Sequence, residues 1–338
     1  MTARWALALL ASISLAACDG TVAPAASSSA AQPVTVRIAA NNISPSTAYL
    51  YLAQDVGIFA KHGVSVDLQP MAGAAGNKAV VAGQVDGQQH GAPAETINVR
   101  STGTDVVVVA TFSSHYDDVV VATDGIDSLA QLRGKTVAAS TVASTDALAA
   151  VTALRKLGGL EPDTDYKLVG AGGASQAGTA GMIAAHQVDA AVIQHVFALQ
   201  VTNVPNSGLH VLSDLANTDL RIAGEPIVLR GEFIHAHPDA VQKFIDSLIE
   251  AVHYFKERPA DTKAFLTRFY KIDDAAVDEV YQREAEHWDK TPLPINDAFN
   301  DAVEFMAPTN PKARDVDLSQ MIDTRFVEDA QRRGLTNY

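Results

Sequence analysis

Residues arranged for catalysis are scarce in this chain of 338 residues. Gly173-Ala174-Ser175-Gln176-Ala177 nearly matches the turn that presents a nucleophilic serine in hydrolases. Its last position is alanine, however, and the strand predicted at 166–169 ends several residues before Ser175. Gly170-Ala171-Gly172 lacks the third glycine and the acidic ribose partner of a dinucleotide site. We therefore predict that the protein is not an enzyme and uses no cofactor.

Three histidines, His90, His115 and His195, lie in predicted loops, where imidazole groups could hold a zinc or copper ion or contact an organic ligand. A single histidine of this kind is more often structural, but three of them in similar loops favour a shared role. The sequence does not show that these loops are close together. We predict contact with a ligand and no bound metal, and the metal site remains an alternative.

Seven loops rich in polar and glycine residues follow predicted strands, at 41–47, 73–77, 89–93, 112–116, 140–145, 170–173 and 194–197. In sheets covered by helices, ligands bind beyond the carboxyl ends of strands, where helix N-termini present unpaired N–H groups. The candidate ligand contacts are Asn41, Asn42, Ser46, Thr47, Gly73, Ala74, Gln89, His90, Gly91, Phe112, His115, Thr141, Ser144, Thr145, Gly172, Gln194 and His195. Helix capping is an equal alternative for Ser46 and Ser144, and core packing is the alternative for Phe112.

The charge of these loops predicts the class of ligand. Neither arginine nor lysine occurs in any of the seven, whereas asparagine, glutamine, serine and threonine do. A desolvated anion is costly in a pocket without cationic side chains. We predict a neutral or weakly charged organic nutrient, with aromatic and heterocyclic compounds included. A small anion such as nitrate or a sulfonate, held by helix N-termini, is the alternative.

The elements that carry the loops alternate between strands and helices, as in a parallel sheet covered by helices. Strands are predicted at 34–38, 64–68, after Asp86 and at 106–110, and the pattern then restarts with strands at 135–139 and 166–169. Gln84-Val85-Asp86 and Gln187-Val188-Asp189 each follow an alanine-rich helix and open an apolar strand. This short repeat hints at two similar halves. A long amphipathic helix is predicted after Pro238, and the remainder of the chain is predicted to be helical.

Five segments carry a resemblance to a known family: Leu50–Phe59, His62–Val66, Val80–Asp86, Leu129–Val137 and Gln187–Ala191. In their order and spacing they resemble the nitrate/sulfonate/taurine-type substrate-binding proteins of ABC importers, a group that also includes thiamine-precursor synthases. The resemblance implies an α/β fold of the two-lobed periplasmic binding protein class, type II, with a ligand cleft between lobes. A synthase would need a cysteine-rich motif in the folded body, and none occurs. His195-Val196 departs from the family pattern, so the ligand cannot be carried over.

The resemblance also implies a division of the chain into two lobes joined by a two-crossover hinge. We expect lobe 1 to contain residues 34–121 and 223–338, and lobe 2 to contain residues 122–222. The crossovers are expected near Val119–Asp124 and Leu212–Ile227, and the last segment is expected to return to lobe 1.

The N-terminus has the pattern of an export signal, in which Arg4 precedes a short apolar run. Leu15-Ala16-Ala17-Cys18 resembles the lipobox of bacterial lipoproteins, which implies that residues 1–17 are removed and that Cys18 is lipidated. Residues 18–33 are rich in alanine, serine and proline and are predicted to form a flexible tether. We expect the protein to lie on the periplasmic face of the cytoplasmic membrane, anchored in the bilayer through Cys18.

Composition restricts the remaining partners. Cys18 is the only cysteine, so the exported domain contains no disulfide. The formal net charge is -14, which disfavours nucleic acid as a partner. No coiled-coil heptads occur, and we predict a monomer. The expected partners are a small-molecule ligand and an ABC permease with its cytoplasmic ATPase. A ligand sensor that presents its closed state to a membrane receptor is the alternative.

Overall fold

The computed structural model describes residues 34–40, 45–71, 73–89, 93–171, 175–272 and 274–338. Ten strands are described: β1 (Thr35–Ala40), β2 (Ser65–Pro70), β3 (Gly87–Gln89), β4 (Val106–Ser113), β5 (Asp118–Thr123), β6 (Thr136–Ala139), β7 (Lys167–Gly170), β8 (Ala190–Gln194), β9 (Leu209–Asp214) and β10 (Gly224–Arg230). They form two five-stranded sheets, in the orders β2-β1-β3-β10-β4 and β7-β6-β8-β5-β9.

Helices cover both sheets. Those that follow the parallel strands are α1 (Ala48–Asp55), α2 (Ile58–Lys61), α3 (Gly73–Val81), α4 (Pro93–Ser101), α5 (Thr145–Gly158), α6 (Gln176–Ala184) and α7 (His195–Thr202). The C-terminal helices are α8 (Gly231–Ala236), α9 (Pro238–Glu257), α10 (Pro259–Tyr270), α11 (Asp274–His287), α12 (Asn296–Met306), α13 (Leu318–Met321) and α14 (Arg325–Arg332). None of the helices in the described ranges is long and apolar enough to span a bilayer.

The two sheets have the same design, strand for strand. In the first, β1 pairs in parallel with β3 so that Ile38 faces Gly87, and in the second β6 pairs in parallel with β8 so that Val137 faces Ala190. The fourth strand of each sheet, β10 or β5, is antiparallel to its neighbours. The hint of two similar halves is therefore confirmed, and both sheets are mixed.

The repeated aspartates have the same structural task in both halves. Asp86 accepts a hydrogen bond at 2.9 Å from the backbone N–H of Arg37 in β1, and Asp189 accepts one at 2.8 Å from the backbone N–H of Thr136 in β6. Each carboxylate thus satisfies a strand N–H at the amino end of a central strand, a group that needs a partner once it is taken out of water. This shared task explains why the sequence repeats at these two places.

The chain crosses between the sheets in two short segments. It leaves the first sheet after Ser113 and enters the second at Asp118, and it returns between Asp214 and Gly224. The expected first crossover at 119–124 is instead β5, which pairs along its length with β8 and β9. The expected lobe boundary at 121/122 therefore falls inside a strand. A run of β-branched residues forms ladder pairs better than a hinge does.

The C-terminal segment covers the first sheet and also reaches the second. Helix α9 packs on β1 through a continuous apolar face that includes Val241, Phe244 and Leu248, and α13 and α14 pack on β4. Helix α12 lies between α4 of the first half and α5 of the second, where Phe299 is fully buried. One apolar core consequently runs from one sheet to the other.

Candidate functional site

Strand directions place the ends of both sheets next to the crossovers. Because β10 and β5 are antiparallel to β3 and β8, each begins beside the carboxyl end of its neighbour. Ile227 of β10 faces Gln89, the last residue of β3, and Asp118 of β5 faces Gln194, the last residue of β8. Helices α1, α3, α4, α5, α6 and α7 also begin at these two edges. The fold therefore gathers helix N-termini and polar side chains from both sheets around the two crossovers.

On the first sheet, Gln89 and Glu225 form a hydrogen-bonded pair. The Gln89 Nε2 atom donates to the Ser46 backbone oxygen at 2.8 Å and to the Glu225 Oε2 atom at 3.0 Å. Gln89 is fully buried, and its Oε1 atom has no hydrogen-bond partner among the described residues. Glu225 has a φ of +51°, which is uncommon for a residue other than glycine. Burial raises the pKa of Glu225 well above its usual value, and the nearby Asp117 and Asp118 raise it further.

Aromatic rings close the inner side of this pair. The ring of Tyr49 lies 4.7 Å from that of Phe112 and 4.7 Å from that of Trp288, measured between centroids. Phe112 is fully buried in the core of the first half. Of the two alternatives for Phe112, the structure shows core packing beside Tyr49, a suitable role for a large aromatic ring.

On the second sheet, the loop after β6 is fixed by a buried carboxylate. Ser140 donates to Asp146 through its backbone N–H at 2.6 Å and through its hydroxyl at 2.8 Å. The Ser144 hydroxyl donates to the Thr141 backbone oxygen at 2.7 Å and makes no cap hydrogen bond to α5. Ser144 therefore occupies the N-cap position but does not cap the helix, and its hydroxyl shapes the Thr141 turn instead.

A guanidinium from the C-terminal segment joins both crossovers. Arg283 of α11 donates through Nε to Asp117 Oδ1 at 2.7 Å and through Nη1 and Nη2 to the Asp214 carboxylate at 2.8 and 3.0 Å. Burial opposes ionisation of Asp214, but the hydrogen bonds from Arg283 lower its pKa. Burial raises the pKa of Asp117 despite the same neighbour. Two carboxylates thus neutralise the charge of Arg283.

The described histidines lie at the crossovers rather than around one ion. The backbone N–H of His195 donates to the Asp117 backbone oxygen at 3.2 Å, and its Nε2 atom is 3.7 Å from Glu279 Oε1. Burial, followed by the charge of Arg283, lowers the pKa of His195. His115 Nδ1 lies 3.0 Å from the Ser114 hydroxyl. No group of three or more possible metal ligands occurs within the ranges that the structure describes.

The other candidate contacts divide into those that the structure locates and those outside its described residues. Thr47 is fully buried before α1, Gly73 begins α3 with a φ of +42°, Thr145 begins α5, and the backbone N–H of Gln194 donates to Gln176 Oε1 at 2.9 Å. Cys18, Asn41, Asn42, His90, Gly91 and Gly172 lie outside the described residues, as does the side chain of Ala74.

Ser175, which the sequence offers as a nucleophile, is the N-cap of α6. Its hydroxyl accepts a hydrogen bond from the Gly178 backbone N–H at 3.1 Å. A serine in this role satisfies one of the unpaired N–H groups of the first helical turn. Its position is thus explained by local helix structure.

Residues 44–262 match the family model described as NMT1/THI5 like. The chain belongs to this family. No curated protein matches the chain. The similar solved structures include the aliphatic sulphonate-binding protein SsuA of Escherichia coli, with 20% identity, a TM-score of 0.71 and coverage of 88% of this chain and 99% of that one. They also include the putative sulfonate-binding SsuA of Methylobacillus flagellatus, with 20% identity, a TM-score of 0.71 and coverage of 90% and 96%.

The nitrate-binding protein NrtA of Synechocystis is similar at 13% identity, with a TM-score of 0.67 and coverage of 89% of both chains. These three neighbours are binding proteins rather than enzymes. The NMT1/THI5-like chain shares their fold, that of periplasmic binding proteins, and the predicted fold class and family are confirmed. Identity at this level is evidence for the fold, so the ligand must be argued from the chain's own residues.

Sequence reasoning missed the charged residues of the site. Asp117-Asp118 and Glu225 each open an apolar strand, and this placement of carboxyl groups at strand starts was a readable signal. Arg283 gave none, because α11 has charged residues all around and reads as a solvated helix. Only folding brings Arg283 to Asp117, 166 positions earlier in the chain.

Proposed function

We propose that this NMT1/THI5-like chain is the substrate-binding protein of an ABC importer, which captures a small organic nutrient between two lobes and delivers it to a membrane permease and its ATPase. The observation that carries this proposal is the convergence of the two sheet edges. Gln89 and Gln194 end matching strands of matching sheets, next to the same crossovers. A ligand in this position would contact both lobes at once, as a closing receptor requires.

The proposed lobes follow the sheets. Lobe 1 would contain the first sheet and the C-terminal helices, and lobe 2 the second sheet. We move the first boundary from 121/122 to the segment 114–117, because all of β5 pairs within the second sheet. The second boundary at 222/223 stays within the segment between β9 and β10. Closure about two short crossovers is the usual response of two-lobed binders to a ligand.

The electrostatics of the site favour an organic ligand over a small anion. Arg283 already pairs with two carboxylates and has little charge left for an anion. Glu225 and Asp118 add carboxyl groups at the edges of both sheets. An anion would have to be desolvated beside them. We therefore retain a neutral or weakly charged organic nutrient as the proposed class.

The location belongs to the same proposal. Lipidation of Cys18 would anchor the chain on the periplasmic face of the cytoplasmic membrane, and residues 18–33 would let a monomeric binding domain reach its permease. The support for this is the sequence pattern around Cys18. Periplasmic location is consistent with the structural neighbours, which are periplasmic proteins.

A thermal-shift screen of small nutrients with the purified chain tests the function, because a ligand that binds only the folded state raises the melting temperature. Small-angle scattering with a saturating hit should then show a smaller radius of gyration, since closure compacts the protein. A hit that leaves the radius unchanged would indicate a rigid receptor and contradict the closing mechanism. Affinity should change little with ionic strength, because salt screens mainly exposed charges.

A further inference from the structure

Two carboxyl groups occupy equivalent places in the two sheets. The register that matches Gly87 with Ala190 also matches Glu225 of β10 with Asp118 of β5. Each side chain therefore stands at the start of its antiparallel strand, beside the carboxyl end of a parallel one. Asp118 is buried, with 6% of its surface exposed, whereas Glu225 is partly exposed. Of the two, Glu225 is the carboxyl group that a molecule at this edge can reach.

An unpartnered acceptor lies directly beside Glu225. The Gln89 amide is held by its Nε2 atom, which donates both to Glu225 and to the Ser46 oxygen. Its Oε1 atom, on the same amide group, is buried and accepts no hydrogen bond from any residue in the described ranges. Buried polar atoms normally have partners, so an acceptor left without one beside a carboxyl group indicates a missing donor.

The surrounding charge selects the kind of donor. Asp117 and Asp118 are close enough to raise the pKa of Glu225, and Arg283 is neutralised by Asp117 and Asp214. The potential at Glu225 is therefore negative, which disfavours anions and favours a group that carries positive charge or strongly polarised N–H bonds. A basic nitrogen offers both, and its N–H groups can meet a carboxylate and a neighbouring amide oxygen together.

We propose that Glu225, positioned by Gln89, is the specificity-determining contact of the cleft and that the transported nutrient presents a basic nitrogen to it. This inference rests on the proposed function and names the substrate class of that same site. Gln89 acts as a positioning residue, because it is fully buried and fixes the carboxyl group through the 3.0 Å hydrogen bond.

The test is a thermal-shift and calorimetric screen of the mature lipoprotein purified in detergent. The library consists of small organic compounds grouped as bases, neutral compounds and acids, with nitrate and methanesulfonate among the anions. The substitution is Glu225→Gln, which removes the charge and keeps the shape. Glu232→Gln is the matched control, since Glu232 is exposed on α8 and pairs with Arg230.

We expect the stabilising compounds to carry a basic nitrogen and to lose about tenfold or more in affinity with Glu225→Gln, and to keep their affinity with Glu232→Gln. The unliganded Glu225→Gln protein should melt no lower than the wild type, because a neutral amide avoids the burial penalty of the carboxylate. A tightest ligand that is an anion, or a basic ligand with equal affinity for both proteins, overturns the inference while the binding function stands. If no compound of any charge stabilises the wild type, the proposed function fails and this inference fails with it.

Discussion

Replacing Arg283 by methionine should destabilise the protein strongly, because this one side chain neutralises two carboxylates. The substitution keeps most of the aliphatic side chain but leaves Asp117 and Asp214 without their cation. Removing one partner of a buried ion pair costs about 3–5 kcal/mol. In this cluster the side chains of Arg283, Asp117 and Asp214 are 18%, 10% and 23% exposed, so water screens part of the cost. We expect a loss of about 3 kcal/mol in the free energy of unfolding at pH 7.

The loss should depend on pH in a definite direction. In the wild type, Asp214 has a lowered pKa, so its contribution to stability is present at neutral pH and is lost as the pH falls through that pKa. Without Arg283 the pKa values of Asp117 and Asp214 should rise, because burial and mutual repulsion remain. The mutant carboxylates then take up protons as the pH falls, which relieves the repulsion. The difference between mutant and wild type should therefore shrink between pH 7 and about pH 4.

Urea unfolding followed by circular dichroism at several pH values measures both effects. Arg258→Met is the matched control, because Arg258 is 65% exposed and lies 4.0 Å from Asp261, and it should cost less than about 0.5 kcal/mol. Adding Asp117→Asn and Asp214→Asn to Arg283→Met should recover most of the loss, since no unpaired charge remains. A loss that is equal for Arg283→Met and Arg258→Met, or that grows as the pH falls, would refute the reasoning.

Three further substitutions test other features. Cys18→Ser should move the protein from the membrane to the soluble fraction or leave an uncleaved precursor, and identical partitioning of mutant and wild type would contradict the lipid anchor. Gly87→Ala should destabilise by about 1–3 kcal/mol, because its Cβ would lie 2.3 Å from the Val228 oxygen, whereas Gly181→Ala, with open space around it, should stabilise α6 by up to about 1 kcal/mol. Ser175→Ala should cost about 1 kcal/mol through loss of the α6 cap and leave ligand affinity unchanged; a loss of binding would show that the hydroxyl has a second task.

Local patterns predicted much of the fold, because most of its elements are specified by short segments. The long helix after Pro238 begins at that residue, and its apolar face is buried. The paired aspartates at 86 and 189 predicted the similarity of the two halves, since each accepts a strand N–H in its own sheet. The error at 119–124 arose from placing a crossover where Val119, Val120 and Val121 form a buried strand.

The site was less predictable than the fold, because its chemistry depends on distant pairs. The loops were found from strand ends, but Gln89 meets Glu225 over 136 positions and Asp214 meets Arg283 over 69. No periodicity in a single segment reports such a pairing. The sequence also showed loops without cations, and it did not show that a cation from α11 would reach the crossovers and be neutralised there.

The repeated design separates the structural acids of this protein from the candidate functional ones. Asp86 and Asp189 occupy equivalent places at the amino ends of central strands, where each satisfies a backbone N–H and lies near a basic side chain, Arg37 or Lys135. Glu225 and Asp118 occupy equivalent places at the opposite edge, and burial raises the pKa of both because no cation offsets it fully. A fold has no need to keep a cost of this kind twice, at the two edges that face the crossovers. Local rules are broken mainly where function requires it, and this contrast is why we assign the second pair of carboxyl groups, and not the first, to the ligand.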